Sequence, residues 1–326
     1  MTSPTALPTA LKLGTRRSAL AMAQSGQVAE QVRQLTGRPV ELVEITTYGD
    51  TSREHLAQIG GTGVFVSALR DALLAGKIDL AVHSLKDLPT ADAEGLTLAA
   101  IPVREDPRDA LVARDGLSFE QLPDGARIGT GSPRRMAQLN HWARTMGRAI
   151  ETVPIRGNVD TRIGYVASGD LHAVVLAAAG LNRLGRLGEA TQLIPTDALL
   201  PAPGQGALAI ECAAHNVVLA DALAELDDPF TRAAVTAERT LLAALEAGCS
   251  APVGALAEPH FQRAAERVTE LRLRGVVGTT DGVELVQMSI TGPTPATRTE
   301  AAALGRELAD EMLAKGAAGL MGERDL

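Results

Sequence analysis

Short aliphatic and β-branched runs alternate with longer helical patterns through residues 11–212, and this rhythm constrains the chain more than any other feature. The runs 11–15, 40–46, 78–82, 96–101, 127–130, 173–176 and 207–212 read as strands. Between them 18–35, 65–75, 133–142, 159–167 and 179–187 read as helices. Strands that alternate with helices predict βαβ units on a mainly parallel sheet. Leu13-Gly-Thr-Arg-Arg-Ser18 and Ile128-Gly-Thr-Gly-Ser-Pro133 both place Gly-Thr at a strand end and Ser at a helix start. That local similarity predicts two similarly built α/β lobes rather than one large sheet. The last third differs. Leu271 and Leu273 alternate with Arg272 and Arg274, and Thr280-Asp281-Gly282 supplies a hairpin turn. Leu304, Leu308 and Met312 recur at helical spacing as far as Lys315-Gly316. A small α+β domain from about residue 225 follows from this pattern.

Composition removes several classes of function. Hydrophobic residues make up 45% of the 326, enough for real cores. With 31 basic against 39 acidic residues the net charge is −8, and only one Trp, two Tyr and four Phe are present. Such a chain is poorly equipped to track phosphates or stack bases, so no nucleic-acid partner is expected. Uncharged stretches such as 198–210 contain Pro and Gly and fall short of the ~20 apolar residues of a membrane span. The start, MTSPTALPTALK, has no basic segment before an apolar run, which predicts no secretory signal and a cytoplasmic protein. Two cysteines are too few for a disulfide framework, and the six histidines show no metal-ligand spacing, so no metal is expected.

The arginines carry the main chemical signal. Arg16 and Arg17 follow the first strand, Arg134 and Arg135 open a helix after Ser132 and Pro133, and Arg156 and Arg162 flank another helix start. Cations in a first helical turn oppose the helix dipole. Free N–H groups and guanidinium forks together would reverse that penalty by binding carboxylates. If 156–162 is helical, Arg156 and Arg162 stand about 9 Å apart along the axis, suiting separate acidic groups. In open α/β sheets such strand-to-helix junctions converge on the ligand crevice. Solvated surface pairs are the alternative for any one of these arginines. Lys86-Asp87 follows a strand end, and reads either as a plain turn or as a carboxylate kept ionised by cations for proton exchange. Cys249, in a small-residue loop, is either a packing residue or a nucleophile and attachment point, whereas Cys212 sits within a strand as an inert packing residue. Gly60-Gly-Thr-Gly63 lacks a P-loop ending and reads as a mobile loop.

Together these segments resemble the porphobilinogen deaminase family of tetrapyrrole biosynthesis. The matching stretches are Gly-Thr-Arg16-Arg-Ser18-x-Leu-Ala, Val-His83-Ser84-x-Lys86-Asp87, Arg104-Glu-Asp-Pro-Arg108-Asp-Ala and Gly-Thr130-Gly-Ser132-x-Arg134-Arg135. Arg156-Gly-Asn-Val-x-Thr-Arg162, Ala-Gly-Leu-x-Arg183-Leu-Gly, Pro-Gly204-Gln205-Gly-Ala and Glu-x-Gly-Cys249 continue them in the family's order.

The resemblance implies an α/β protein of three domains: two periplasmic-binding-protein-like lobes around a cleft, and a small C-terminal α+β domain carrying the cofactor cysteine. The implied boundaries are 1–104 with 205–224, then 105–204, then 225–326. It further implies condensation of four porphobilinogen molecules head to tail, with release of four ammonia, into linear hydroxymethylbilane. The primer would be a dipyrromethane joined by a thioether to Cys249. Asp87 would be catalytic, steadying the cationic azafulvene left by ammonia loss. Lys86, Ser84, Thr130, Ser132, Arg134, Arg135, Arg156, Gly157 and Arg183 would bind the cofactor, and Arg16, Ser18, Gln24, Arg156 and Arg162 the substrate's acids. The partners implied are porphobilinogen and the growing polypyrrole, with the enzyme a monomer. Hinges are implied near 101–105 and 200–204, with the 60–63 loop as a lid. Thr62, where many relatives have Lys, and Tyr48, where some have Arg, depart from the family pattern. A non-catalytic two-lobe binding protein for a multiply carboxylated ligand is the competing reading; it has no use for a third domain or for Cys249.

Overall fold

A computed structural model describes residues 9–45, 66–246, 251–260 and 269–321. In chain order the first elements are β1 (Leu11–Thr15), α1 (Ala19–Thr36), β2 (Val40–Glu44), α2 (Ser67–Leu74), β3 (Leu80–Ser84) and β4 (Leu96–Ala100). Next come β5 (Asp109–Ala113), β6 (Ala126–Gly129), α3 (Pro133–Thr145), β7 (Ile150–Val153), α4 (Val159–Ala167), β8 (Ala173–Ala177), α5 (Ala178–Arg183) and β9 (Gln192–Leu193). The chain finishes with β10 (Leu208–Ala213), α6 (Val217–Ala224), α7 (Pro229–Ala244), β11 (Val253–His260), β12 (Glu270–Gly278), β13 (Leu285–Pro293) and α8 (Arg298–Ala314).

Two of the sheets share one design. The first has the order β2-β1-β3-β10-β4 and the second β7-β6-β8-β5-β9. In each, a central strand (β1 or β6) lies between two parallel neighbours, and a single antiparallel strand (β10 or β5) follows. The predicted pair of similarly built lobes is therefore present. Its cause is visible at Gly14 and Gly129, which hold matching places in β1 and β6. A Cβ on Gly14 would collide with Ile78, two residues ahead of β3; one on Gly129 would lie 2.6 Å from Leu171, two residues ahead of β8. The repeated Gly-Thr marks where the next parallel strand packs closest.

The contacts divide the chain into two compact units, 1–103 with 208–228, and 104–207 with 229–326. In the first, Leu11, Leu13, Leu80, Val82, Ile210 and Cys212 pack against Val28 and Val32 of α1. Leu69 and Leu73 of α2 cover Ile78 and Ala81 on the opposite face. Helices on both faces explain why β1 and β3 are apolar nearly throughout rather than alternating. The second unit holds the second five-stranded sheet and an antiparallel sheet, β11-β12-β13, whose core joins Ala237, Leu241, Leu271, Leu273, Leu308 and Met312. The hairpin turn falls where the sequence places it, with Gly282 at φ 71°.

Several expectations are corrected. The helix expected over 179–187 ends at Arg183, because Gly185 adopts φ 69° and Arg186 N–H closes back on Leu181 O at 2.8 Å. β5 was not expected, since it opens on the charged Asp109 and has no β-branched run. Arg156 lies outside α4, whose N-cap is Asn158 accepting from Thr161 N–H at 2.9 Å. The helical spacing argued for Arg156 and Arg162 therefore does not apply.

Candidate active site

Parallel strands end at one edge of a sheet, and the residues singled out in the sequence gather at these edges. In the first unit, β1 runs into Arg16 and Ser18, and β3 into Ser84 and a 3-10 turn, Leu85–Asp87. Ser18 caps α1, accepting from Ala21 N–H at 3.3 Å. Gln24, buried on α1, donates its Nε2 to Ser84 Oγ at 3.0 Å, which ties the ends of the two elements together. Asp87 is exposed, and Lys86 half-buried beside it. The structure thus brings Gln24 and Ser84 into contact and sets Asp87 three residues past the strand end.

The second unit repeats the arrangement with more charge. Thr130, buried at the end of β6, accepts from Ser132 N–H at 3.2 Å. Ser132 takes the N-cap position of α3, but its side chain makes no capping bond. Arg134 and Arg135 are only 4% and 6% exposed and turn inward to one carboxylate, the fully buried Asp109 at the head of β5. Arg134 Nη1 donates to Asp109 Oδ2 at 2.8 Å and to Leu200 O at 2.6 Å. Arg135 donates through Nε and Nη2 to Asp109 Oδ1, at 3.1 and 2.7 Å, and through Nη1 to Val175 O at 2.9 Å. Asp109 meets them because β5 runs antiparallel to β8, so its first residue lies opposite Ala177, the last residue of β8.

Burial alone would raise the Asp109 carboxyl, but the two guanidiniums hold it well below the usual range. Burial and the neighbouring Arg135 depress Arg134, with Asp109 opposing. Within these three side chains two positive charges face one negative, and Arg134 Nε is a buried donor without a partner. That surplus is the chemistry an acidic ligand would offset. A polycarboxylated dipyrromethane fits that excess of positive charge, while the two guanidiniums are themselves buried and donate to Asp109, Leu200 O and Val175 O.

Arg183 is committed to an internal carboxylate as well, donating to Glu105 Oε1 at 2.9 Å and to Gly206 O at 2.7 Å. Burial lowers it, with Glu105 opposing. Arg162 Nε donates to Gly157 O at 2.9 Å, and Arg156 is half-buried in the loop before Asn158. Asp109 and Glu105 received no role from sequence reasoning. The dense charge of Arg104-Glu-Asp-Pro-Arg108-Asp109 was the available signal, but which of its carboxylates turns inward depends on strand pairing.

Cys249, Tyr48 and the 60–63 loop with Thr62 lie outside the described residues. Cys212 is buried, and burial followed by the adjacent Glu211 pushes its thiol up. No group of three His, Cys, Asp or Glu placed to hold a metal occurs among the described residues, and none of their helices is long and apolar enough to cross a membrane.

Two family models match the chain. Residues 11–221 match "porphobilinogen deaminase, dipyromethane cofactor binding domain", and residues 232–314 match "porphobilinogen deaminase, C-terminal domain". Among curated relatives, porphobilinogen deaminase 1 of Streptomyces avermitilis is 76% identical over 321 residues, covering 97% of this chain and 98% of its own. Porphobilinogen deaminase of Thermobifida fusca is 56% identical, covering 95% of each chain, and that of Mycobacterium marinum 50%, covering 95% and 96%.

Proposed function

The chain belongs to the porphobilinogen deaminase family, and from that premise we propose which of its residues carry the reaction and how. It is a transferase of tetrapyrrole biosynthesis, condensing four porphobilinogen molecules head to tail with release of four ammonia, after which one water hydrolyses the bond to the primer and frees linear hydroxymethylbilane. The bound dipyrromethane supplies the pyrrole carbon to which the first substrate is joined. The observation that carries this reading is the match of residues 11–221 to a domain described by that cofactor.

In each cycle the substrate's aminomethyl C–N bond breaks, its amine leaves as ammonia, and positive charge develops on the pyrrole. Asp87, exposed in the turn after β3, is suited to accept the pyrrole N–H and stabilise that charge. As the free α-carbon of the chain's terminal pyrrole bonds to the cationic methylene, that α-carbon loses its proton, for which the same carboxylate is the acceptor. Arg16, Ser18, Gln24, Ser84 and Lys86 would hold acetate and propionate groups from the first unit. From the second, Thr130, Ser132, Arg134, Arg135, Arg156, Gly157, Arg162 and Arg183 would do the same. The surplus positive charge around Asp109 supports this assignment. Guanidinium suits it because it stays charged at every relevant pH and grips carboxylates with two donors.

Cys249 would carry the primer through a thioether. The enzyme would be a monomer, and a cytoplasmic one, since a reducing compartment keeps such a thiol available. Its domains would be 1–104 with 205–224, 105–204 and 225–326, divisions supported by the membership of the three sheets.

Intact-protein mass tests the attachment. The purified protein should carry two linked pyrrole units and Cys249→Ser none; an adduct retained on Cys249→Ser overturns the assignment. Asp87→Ala should fold normally and lose about 10²- to 10⁴-fold in kcat. A near-parental rate would refute the role of Asp87.

A further inference from the structure

Behind the Asp87 turn lies a buried charged cluster that the reaction as described does not use. Glu211, on β10, is 3% exposed, and Arg70 of α2 grips it with two donors, Nε at 3.0 Å from Oε2 and Nη2 at 2.7 Å from Oε1. His83 Nε2, equally buried on β3, lies 3.1 Å from Glu211 Oε2 but out of line for a full hydrogen bond. Burial pushes the Glu211 carboxyl up, yet the neighbouring His83 and Arg70 outweigh it and hold the group at about 2.

The register explains the meeting. β3 and β10 are antiparallel, with His83 opposite Ala209 and Ala81 opposite Glu211, so His83 and Glu211 are diagonal neighbours on one face. The pairing of β10 with β4 shifts between Ile210 and Glu211, an irregularity of the kind that re-aims a side chain. α2 covers this face and delivers Arg70. The next residue, Ser84, points to the other face and is held there by Gln24 of α1. The last two residues of β3 are thus flanked on both faces, His83 by the Glu211–Arg70 pair and Ser84 by Gln24, immediately before the turn that carries Lys86 and Asp87.

We propose that Glu211, braced by Arg70 and set against His83, is a positioning residue that fixes the end of β3 and so aims the Asp87 carboxylate. The inference rests on the reading of Asp87 as the acid–base group. Asp87 is the one exposed residue of a three-residue turn that starts on the buried Leu85 at the end of β3. Its direction is inherited from the strand, and displacement of a reacting group by about 1 Å can cost on the order of a hundredfold in rate.

The test uses the full-length, primer-loaded enzyme and the variants Glu211→Gln, Arg70→Gln, Arg70→Lys and Asp87→Ala. Glu211→Gln and Arg70→Gln should lower kcat by about tenfold to a hundredfold while KM for porphobilinogen stays within about twofold. Arg70→Lys, which keeps the charge without the fork, should fall between Arg70→Gln and the parent. Amide exchange at Leu88, whose N–H closes the turn on Leu85 O at 3.1 Å, should accelerate, while Leu13 and Val43 in β1 and β2 keep parental rates. Parental kcat in both Glu211→Gln and Arg70→Gln, beside an inactive Asp87→Ala, overturns this inference alone. Accelerated exchange spread evenly over β1, β2 and the turn also overturns it, because that marks a merely structural pair. Parental kcat in Asp87→Ala overturns the Asp87 reading, and the inference with it. Should Glu211→Gln fail to fold, Arg70→Gln, at the more exposed end of the pair, decides the matter by the same criteria.

Discussion

Asp109 serves two buried guanidiniums with one carboxylate, and removing its charge would leave both uncompensated inside the second unit. Asp109→Asn should therefore lower the unfolding free energy by about 3–5 kcal/mol, read as a shift of the urea midpoint. A shift within experimental scatter would show that solvent or another group neutralises the pair. Sequence reasoning located Arg134 and Arg135 correctly at a helix start and saw that their position there opposes the dipole. Their internal partner escaped it, because Asp109 becomes their neighbour only when β5 pairs antiparallel with β8. The turn that holds Asp87 was easier to read, since Val82-His83-Ser84-Leu85-Lys86-Asp87 announces a strand end followed at once by charge.

Among the elements, periodicity located those with an unbroken apolar pattern and missed those whose pattern is broken by function or by length. β1 and α4 lie over the residues expected of them, whereas β5, opening on a charge, and the two-residue β9 gave no usable signal. The segment joining Pro201 to β10 shows what local pattern cannot reveal. Gly206, at φ 89°, accepts from Glu105 N–H at 3.3 Å and from Arg183, and a Cβ there would lie 2.5 Å from Glu105 O. Gly206→Ala should cost at least about 1–2 kcal/mol from the left-handed backbone alone, with steric cost added. Thermal unfolding of the purified variant would measure it; an unchanged midpoint would mean the two segments separate without penalty.

Among the described residues, each compact unit buries one strongly depressed carboxylate, Glu211 in the first and Asp109 in the second. A carboxylate whose folded pKa lies below its unfolded value stabilises the fold above the unfolded pKa, and that stability is lost as pH falls through the folded value. Glu211, held at about 2 against an ordinary 4.5, contributes stability that disappears between about pH 5 and pH 2. Urea midpoints should be level near neutrality and fall steadily below about pH 5. Midpoints that rose on acidification would contradict the charge arrangement in both units.

The strand orders also bear on how the protein is made. β4 pairs with β10 and, among the described residues, with no other strand. A ribosome must therefore synthesise the entire second lobe before it supplies the segment that seats β4 beside its neighbours. Until residues 208–213 emerge, the nascent amino-terminal third keeps an unfilled slot between β3 and β4. Unpaired edges of this kind invite aggregation. Chains released early, or stalled within the second lobe, should be the forms that chaperones and proteases meet first.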